Sequence, residues 1–177
     1  MRHVLSILLQ NEAGALARVA TMFASRGFNI ESLSVAPTED ERVSRLTLVT
    51  SGEDVTLGQI NKQLAKLVDV VAIADRTSVA HVERELGLLK LRVAPGAVEP
   101  LAREVGNFGA RVLDEDPDHM ILELTGTEEQ IDGFLADLPT GVELLTVARS
   151  GALVVSRGPG SLAEDLEFLF EDVGPVD

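Results

Sequence analysis

Hydrophobic periodicity in this chain switches between the strand period of about 2 and the helix period of about 3.6 in the same order twice. Val4 to Leu9 is an apolar run short enough for a buried strand. Asn11-Glu12-Ala13-Gly14 supplies turn chemistry. Leu16, Val19, Ala20 and Phe23 then recur at the spacing that lays one stripe of a helix on a sheet. Gly27 stands where a helix C-cap is wanted, and Asn29-Ile30 leads into a second strand carrying Leu33 and Val35. Pro37 to Glu41 is a polar hairpin connection, after which Leu46 and Leu48 alternate with Arg45 and Thr47 in a third strand. Leu57, Ile60, Leu64 and Leu67 form a second helical stripe, with Asp54 or Thr56 as its N-cap, and Val70 to Ala74 is a fourth strand.

Val79 to Glu85 is charged punctuation, and beyond it the pattern restarts. Leu86 to Val93 is a strand and Pro95-Gly96 a turn. Val98, Leu101, Ala102 and Val105 repeat the helical stripe, stopped by Gly106 or Gly109. Strands at Arg111 to Leu113 and Met120 to Leu124 flank the turn Asp114 to Asp118. Thr127 and Gln130 fit a capping box ahead of Ile131, Phe134, Leu135 and Leu138, and Val142 to Val147 is an eighth strand. The fold class is therefore α+β: two tandem βαββαβ units, each a four-stranded antiparallel sheet covered on one face by two helices. The implied domains are 1–78 and 86–150, with a linker at 79–85 and a tail at 151–177. In that tail Leu162, Leu166, Leu169 and Phe170 space as a short acidic amphipathic helix.

Composition narrows the function by exclusion. A formal charge of −14 opposes a nucleic-acid backbone as partner. The charge is uneven: residues 1–80 hold 8 basic and 9 acidic side chains, whereas residues 81–149 hold 6 and 14. Zero cysteines rule out disulfides, a thiol nucleophile and a thiolate metal site. With 45% hydrophobic and 25% charged residues, no apolar run long enough for a membrane span and no secretion-signal pattern, a cytoplasmic globular protein is expected. His3, His81 and His119 neighbour no nucleophile and share no ligand spacing. Asp114, Asp116 and Asp118 lack the glycine and glutamate of a calcium loop, and Gly158-Pro159-Gly160-Ser161 lacks the glycine-lysine ending of a phosphate loop. No catalytic or metal-binding set is expected.

Asn11, Gly14 and Asn29 remain. Singly, each has a structural reading: a helix cap, a close backbone approach and a tight turn. Together they would gather two side-chain amides and free backbone N–H groups at one helix N-terminus, where the dipole favours a carboxylate. Such a group suits an amino acid, with Ala13, Leu16 and Ile30 leaving room for an aliphatic side chain.

Leu8 to Leu16 and Arg26 to Val35 closely resemble the ACT domain of the acetolactate synthase (acetohydroxyacid synthase) small subunit, as do Gln63 to Val70 and Ala80 to Leu86. The resemblance covers about residues 2–158, through Ala148-Arg149-Ser150-Gly151 and Ser156-Arg157-Gly158; the tail beyond Gly160 is longer than is usual in the family. It implies an N-terminal ACT domain followed by a second ferredoxin-like domain in a non-catalytic regulatory subunit. Such a subunit activates a thiamine-diphosphate-dependent catalytic subunit and confers feedback inhibition by valine. No cofactor is then expected on this chain, since thiamine diphosphate, magnesium and FAD belong to the catalytic subunit. The resemblance also implies a homodimer joined through the ACT sheets, with effector contacts at Asn11, Gly14, Ala15, Asn29 and Ile30. The alternative is a free-standing ACT sensor of amino acids that regulates another enzyme.

Overall fold

The computed structural model describes residues 1–158. The chain divides into two compact units: Met1–Val82 together with the segment beginning at Ala152, and Glu83–Gly151. The acidic helix expected at Leu162 to Phe170 lies outside the described residues.

The first unit runs β1 (Arg2–Gln10), α1 (Ala15–Ser25), β2 (Ser32–Pro37), β3 (Val43–Ser51), α2 (Asp54–Leu64) and β4 (Val70–Asp75). Its antiparallel sheet has the order β2-β3-β1-β4, so β1 is central and is buried on both faces, whereas β2 and β4 are edges. Alternation along β1 sends Leu5, Ile7 and Leu9 towards the helices, where they pack with Val19, Phe23, Ile60 and Leu64. Phe23 meets Phe28 edge to face at 6.1 Å between ring centroids. Full burial of one such side chain contributes roughly 1.5–3 kcal/mol. On the opposite face Val4 and Val49 pack with Ala152 and Val154.

The second unit repeats this order. It contains β5 (His81–Val93) from Glu83 onward, a 3₁₀ turn (Pro95–Ala97), α3 (Val98–Phe108), β6 (Arg111–Glu115), β7 (His119–Gly126), α4 (Glu128–Ala136) and β8 (Val142–Arg149). Strand order is β6-β7-β5-β8, and Leu89, Leu91, Leu101, Leu122, Ile131 and Phe134 form its core. The expected capping box is present: the Thr127 hydroxyl accepts the Gln130 N–H at 3.3 Å, and the Gln130 side chain accepts the Thr127 N–H at 2.8 Å. Both units are thus ferredoxin-like α+β sandwiches.

Three local features differ from expectation, and of the two glycines expected to stop α3 the structure selects one. Helix α2 begins at Asp54 with Glu53, not Asp54 or Thr56, as N-cap. Gly109, at φ +80°, ends α3, and Gly106 lies within the helix. The residues from His81 to Glu85 are the first rungs of β5 rather than a separate connection. That extension is explained by Glu85, whose buried carboxylate accepts from Arg149 Nε at 3.0 Å and Nη2 at 2.5 Å and from the Gly151 N–H at 3.2 Å. Arg149 also donates to Asp132 at 2.5 Å, and its hydrogen bonds to Glu85 raise its guanidinium pKa above its ordinary value. Lastly, a ninth strand, β9 (Leu153–Ser156), lies in the first unit, where Ala152 N–H donates to the Ser32 hydroxyl and Arg157 N–H to the Ala80 carbonyl. Among the described residues no helix is long and apolar enough to cross a membrane.

Candidate functional site

The site foreseen around α1 begins at Gly14. This residue is the N-cap, held at φ +91° where L side chains are strained, and no side chain accepts from the first turn of the helix. No acidic residue stands in that turn either, so the positive dipole end is uncompensated. Ala15 is buried and its N–H is bonded to the Glu12 carbonyl at 3.2 Å, so it contributes packing rather than a free donor. Asn11 does not cap the helix. Its Nδ2 donates to the Glu41 carbonyl at 2.8 Å, its Oδ1 accepts from the Ser44 hydroxyl at 3.0 Å, and its N–H donates to the Arg42 carbonyl at 2.7 Å. The amide latches the end of β1 to the start of β3.

Asn29 and Ile30 stand at the other end of the unit. The Asn29 carbonyl accepts from the Thr50 hydroxyl at 2.6 Å, and Thr50 pairs with His3 at the beginning of β1. Asn11 follows Gln10, which pairs with Val43 at the other end of the same ladder. Seven strand residues at about 3.3 Å each separate the two groups by roughly 23 Å. One chain therefore brings Asn11, Gly14 and Ala15 together, and separately Asn29 and Ile30, but does not gather the five around one helix terminus. Asn29 is exposed, and its side-chain amide has no hydrogen-bond partner among the described residues. Ile30 is half-buried against the core.

Arg18 belongs to the site and was not anticipated in it. One helical turn after Gly14, its guanidinium folds back so that Nη1 lies 3.0 Å from where a Cβ on Gly14 would be. Buried Asp69 holds it there through Nε and, at 2.7 Å, through Nη2. That hydrogen bond keeps the Asp69 carboxyl below its ordinary pKa and raises the guanidinium's. The i to i+4 spacing from Gly14 was legible, but Asp69 lies 51 residues away. Beside the pair, Gly14, Thr21, Met22, Ser25, Arg26 and Leu67 line an open concavity of about 470 Å³ on the outer side of α1. A cation over an uncapped helix start suits a carboxylate.

The three histidines serve structure locally. His3 is buried with Nε2 3.1 Å from the Gly52 carbonyl, His81 Nδ1 is 2.6 Å from the Val79 carbonyl, and His119 Nδ1 is 2.7 Å from Asp118. Among the described residues no three His, Asp or Glu side chains are disposed to hold a metal ion.

Residues 5–72 match the family model described as the AHAS small subunit-like ACT domain, and residues 84–158 match that of the small subunit of acetolactate synthase. The acetolactate synthase isozyme 3 small subunit of Salmonella typhimurium is 45% identical over 158 residues, covering 89% of this chain and 97% of that protein. Its Escherichia coli counterpart is 44% identical over the same shares. The crystal structure of the acetolactate synthase small subunit from Thermotoga maritima superposes with a TM-score of 0.82 at 33% identity, covering 90% of this chain and 99% of that one.

Proposed function

The chain belongs to the acetolactate synthase small-subunit family, and on that premise we propose that it is a regulatory subunit that activates a thiamine-diphosphate-dependent catalytic subunit and makes it responsive to valine. In this reading catalysis, with thiamine diphosphate, magnesium and FAD, resides in the catalytic subunit, and the complex works in the cytoplasm. The second unit's own match to the acetolactate synthase small subunit argues against a free-standing sensor.

The observation that carries the effector site is the separation of its two halves. Gly14 and Asn11 lie at one end of the first unit and Asn29 and Ile30 at the other, so a complete site needs two copies. Strand β2 is a sheet edge, and α1 exposes Ala17, Ala20 and Ala24. Two copies joined antiparallel along β2 would set the Gly14 end of one against the Asn29 end of its partner. The uncapped turn and Arg18 would meet the effector's carboxylate, and the free Asn29 amide its polar head. Effector binding would then change how two subunits pack, which makes a contact allosteric.

Thermal unfolding with and without valine tests the site, and co-purification tests the partner. Saturation at about 100 times the dissociation constant should stabilise the protein by roughly 2.7 kcal/mol. Asn29→Ala should abolish that shift yet leave activation of the catalytic subunit intact. Loss of activation as well would make Asn29 structural, and failure to co-purify with a thiamine-diphosphate enzyme would sink the regulatory reading.

A further inference from the structure

The geometry points to a second ligand site, on the face of the first unit's sheet opposite the helices, that cradles a short aliphatic monocarboxylate. Register places Ser34 opposite Thr47 and Ala36 opposite Arg45, and the same alternation puts all four on the face that carries Val49. A cavity of about 330 Å³ opens there, lined by Ser34, Pro37, Thr38, Arg45, Thr47 and Leu153. Its volume is at the small end of ligand sites, which run from about 300 Å³ upward.

The donors in this cavity are unequally employed. Thr38 is committed to the β2–β3 turn, its hydroxyl 3.1 Å from both the Asp40 and Val43 carbonyls. Thr47 is 2% exposed, yet among the described residues neither its hydroxyl nor that of Ser34 has a hydrogen-bond partner. Arg45 reaches only the Val154 carbonyl, at 3.5 Å, and meets no carboxylate among the described residues. Neither hydroxyl is a sealed-off orphan, since among the described residues the buried side-chain polar atoms without a partner are His3 Nδ1 and Asn61 Oδ1; both hydroxyls therefore keep access to the cavity. Here an under-used guanidinium and two idle hydroxyls face one small space, and together they match the lone pairs of a carboxylate. Ala36, Pro37 and Leu153 form an apolar wall for an aliphatic remainder. Glu39 at the rim repels a second negative charge on the ligand and accepts from an ammonium group, so an amino acid and a simple carboxylic acid both satisfy the cradle.

Amide NMR titration of the full chain with sodium 3-methylbutanoate, with valine and with 2-methylpropylamine tests this site. The carboxylate should move the Ser34, Arg45 and Thr47 signals saturably, and the amine should not. A stronger response to valine than to 3-methylbutanoate would identify the ligand as an amino acid whose ammonium meets Glu39, and response to 3-methylbutanoate alone as an acid lacking the ammonium. Thr47→Val, which keeps the side-chain shape, should weaken binding about fivefold, and Arg45→Met about tenfold or more, as expected for a neutral and a charged hydrogen bond. Unchanged affinity in both variants overturns the proposal, as do shifts confined to the surroundings of Gly14 and Asn29.

Discussion

The first helices of the two units, α1 and α3, occupy the same place in the same topology and begin in opposite ways. α1 starts at a left-handed glycine with no cap and no acid in its first turn, and the guanidinium of Arg18, paired on its far side with Asp69, lies against it. α3 is entered through a 3₁₀ turn, in which the Ala97 N–H is already bonded to the Ala94 carbonyl at 2.8 Å. Its first turn carries Glu99, and Pro100 there has no N–H to offer. An anion is welcome at the first and opposed at the second. The helix grooves follow suit: Arg18 and Arg26 line that of the first unit, while Glu104, Glu129 and Asp137 line that of the second beside the edge-to-face rings of Phe108 and Phe134. One architecture is thus present twice, and the features on which the proposed anion site rests are present once, so duplication of a fold need not duplicate a site.

Breaking this contrast at Gly14 should have the largest effect. Gly14→Asp puts a side chain at φ +91°, costing about 1–2 kcal/mol, and a negative charge where the proposed site would receive the effector carboxylate. The stabilisation by valine, roughly 2.7 kcal/mol near saturation, should vanish with it. Gly14→Ala carries the strain without the charge, and only the tip of the flexible Arg18 must yield, so it should retain part of the valine shift in the same thermal assay. A wild-type valine response in Gly14→Asp would refute the site.

A smaller loss is expected on the other side of the comparison. Thr127→Ala removes the capping box of α4 and should lower stability by about 1 kcal/mol in denaturant unfolding, leaving the valine shift unchanged. If the valine response fell too, the two units would not be chemically independent.

The smallest effect concerns the hairpin turns. In the first unit, hydrogen bonds from the side chain and backbone of Arg42 lower the Asp40 carboxyl pKa to about 2, whereas the matching turn of the second unit, Asp114 to Asp118, holds no arginine. Because the folded-state pKa is depressed, the Asp40–Arg42 contribution is present above the ordinary carboxyl value of about 3.9 and is lost as pH falls towards 2. Carboxyl NMR titration should show the Asp40 midpoint rising towards the ordinary value in Arg42→Ala. Both groups are largely exposed, so little change in unfolding is expected.

Elements written in local periodicity were legible in advance: the existence of α1 and α3, the alternation of β3 and the Thr127–Gln130 box all depend on residues a few positions apart. The buried helix faces were legible only in part: α1 buries Ala15, Val19, Met22 and Phe23 while Leu16 and Ala20 are exposed, and α3 buries Leu101 while Val98 and Ala102 are exposed. What escaped reading depends on partners far along the chain. Asn11 looked like a cap because its neighbours are turn residues, but its amide is claimed by Glu41 and Ser44. His81 to Glu85 looked like a connection because of its charges, and Glu85 is buried only because Arg149 arrives 64 residues later. The four residues of β9 are too few to show a period. Gly14 and Asn29 were both recognisable, but their distance apart follows from the register of β1 on β3, which no local pattern encodes.

The return of β9 to the first unit makes that unit discontinuous, and this orders events during synthesis. Val4 and Val49 cannot acquire their partners Ala152 and Val154 until the whole of Glu83–Gly151 has been made. At about 5–20 residues per second, a ribosome takes roughly 3–14 s over those intervening residues. Throughout that interval the nascent first unit presents an uncovered apolar patch. A chain cut short at the end of β4 would keep that patch permanently, and aggregation rather than loss of secondary structure would be its first symptom.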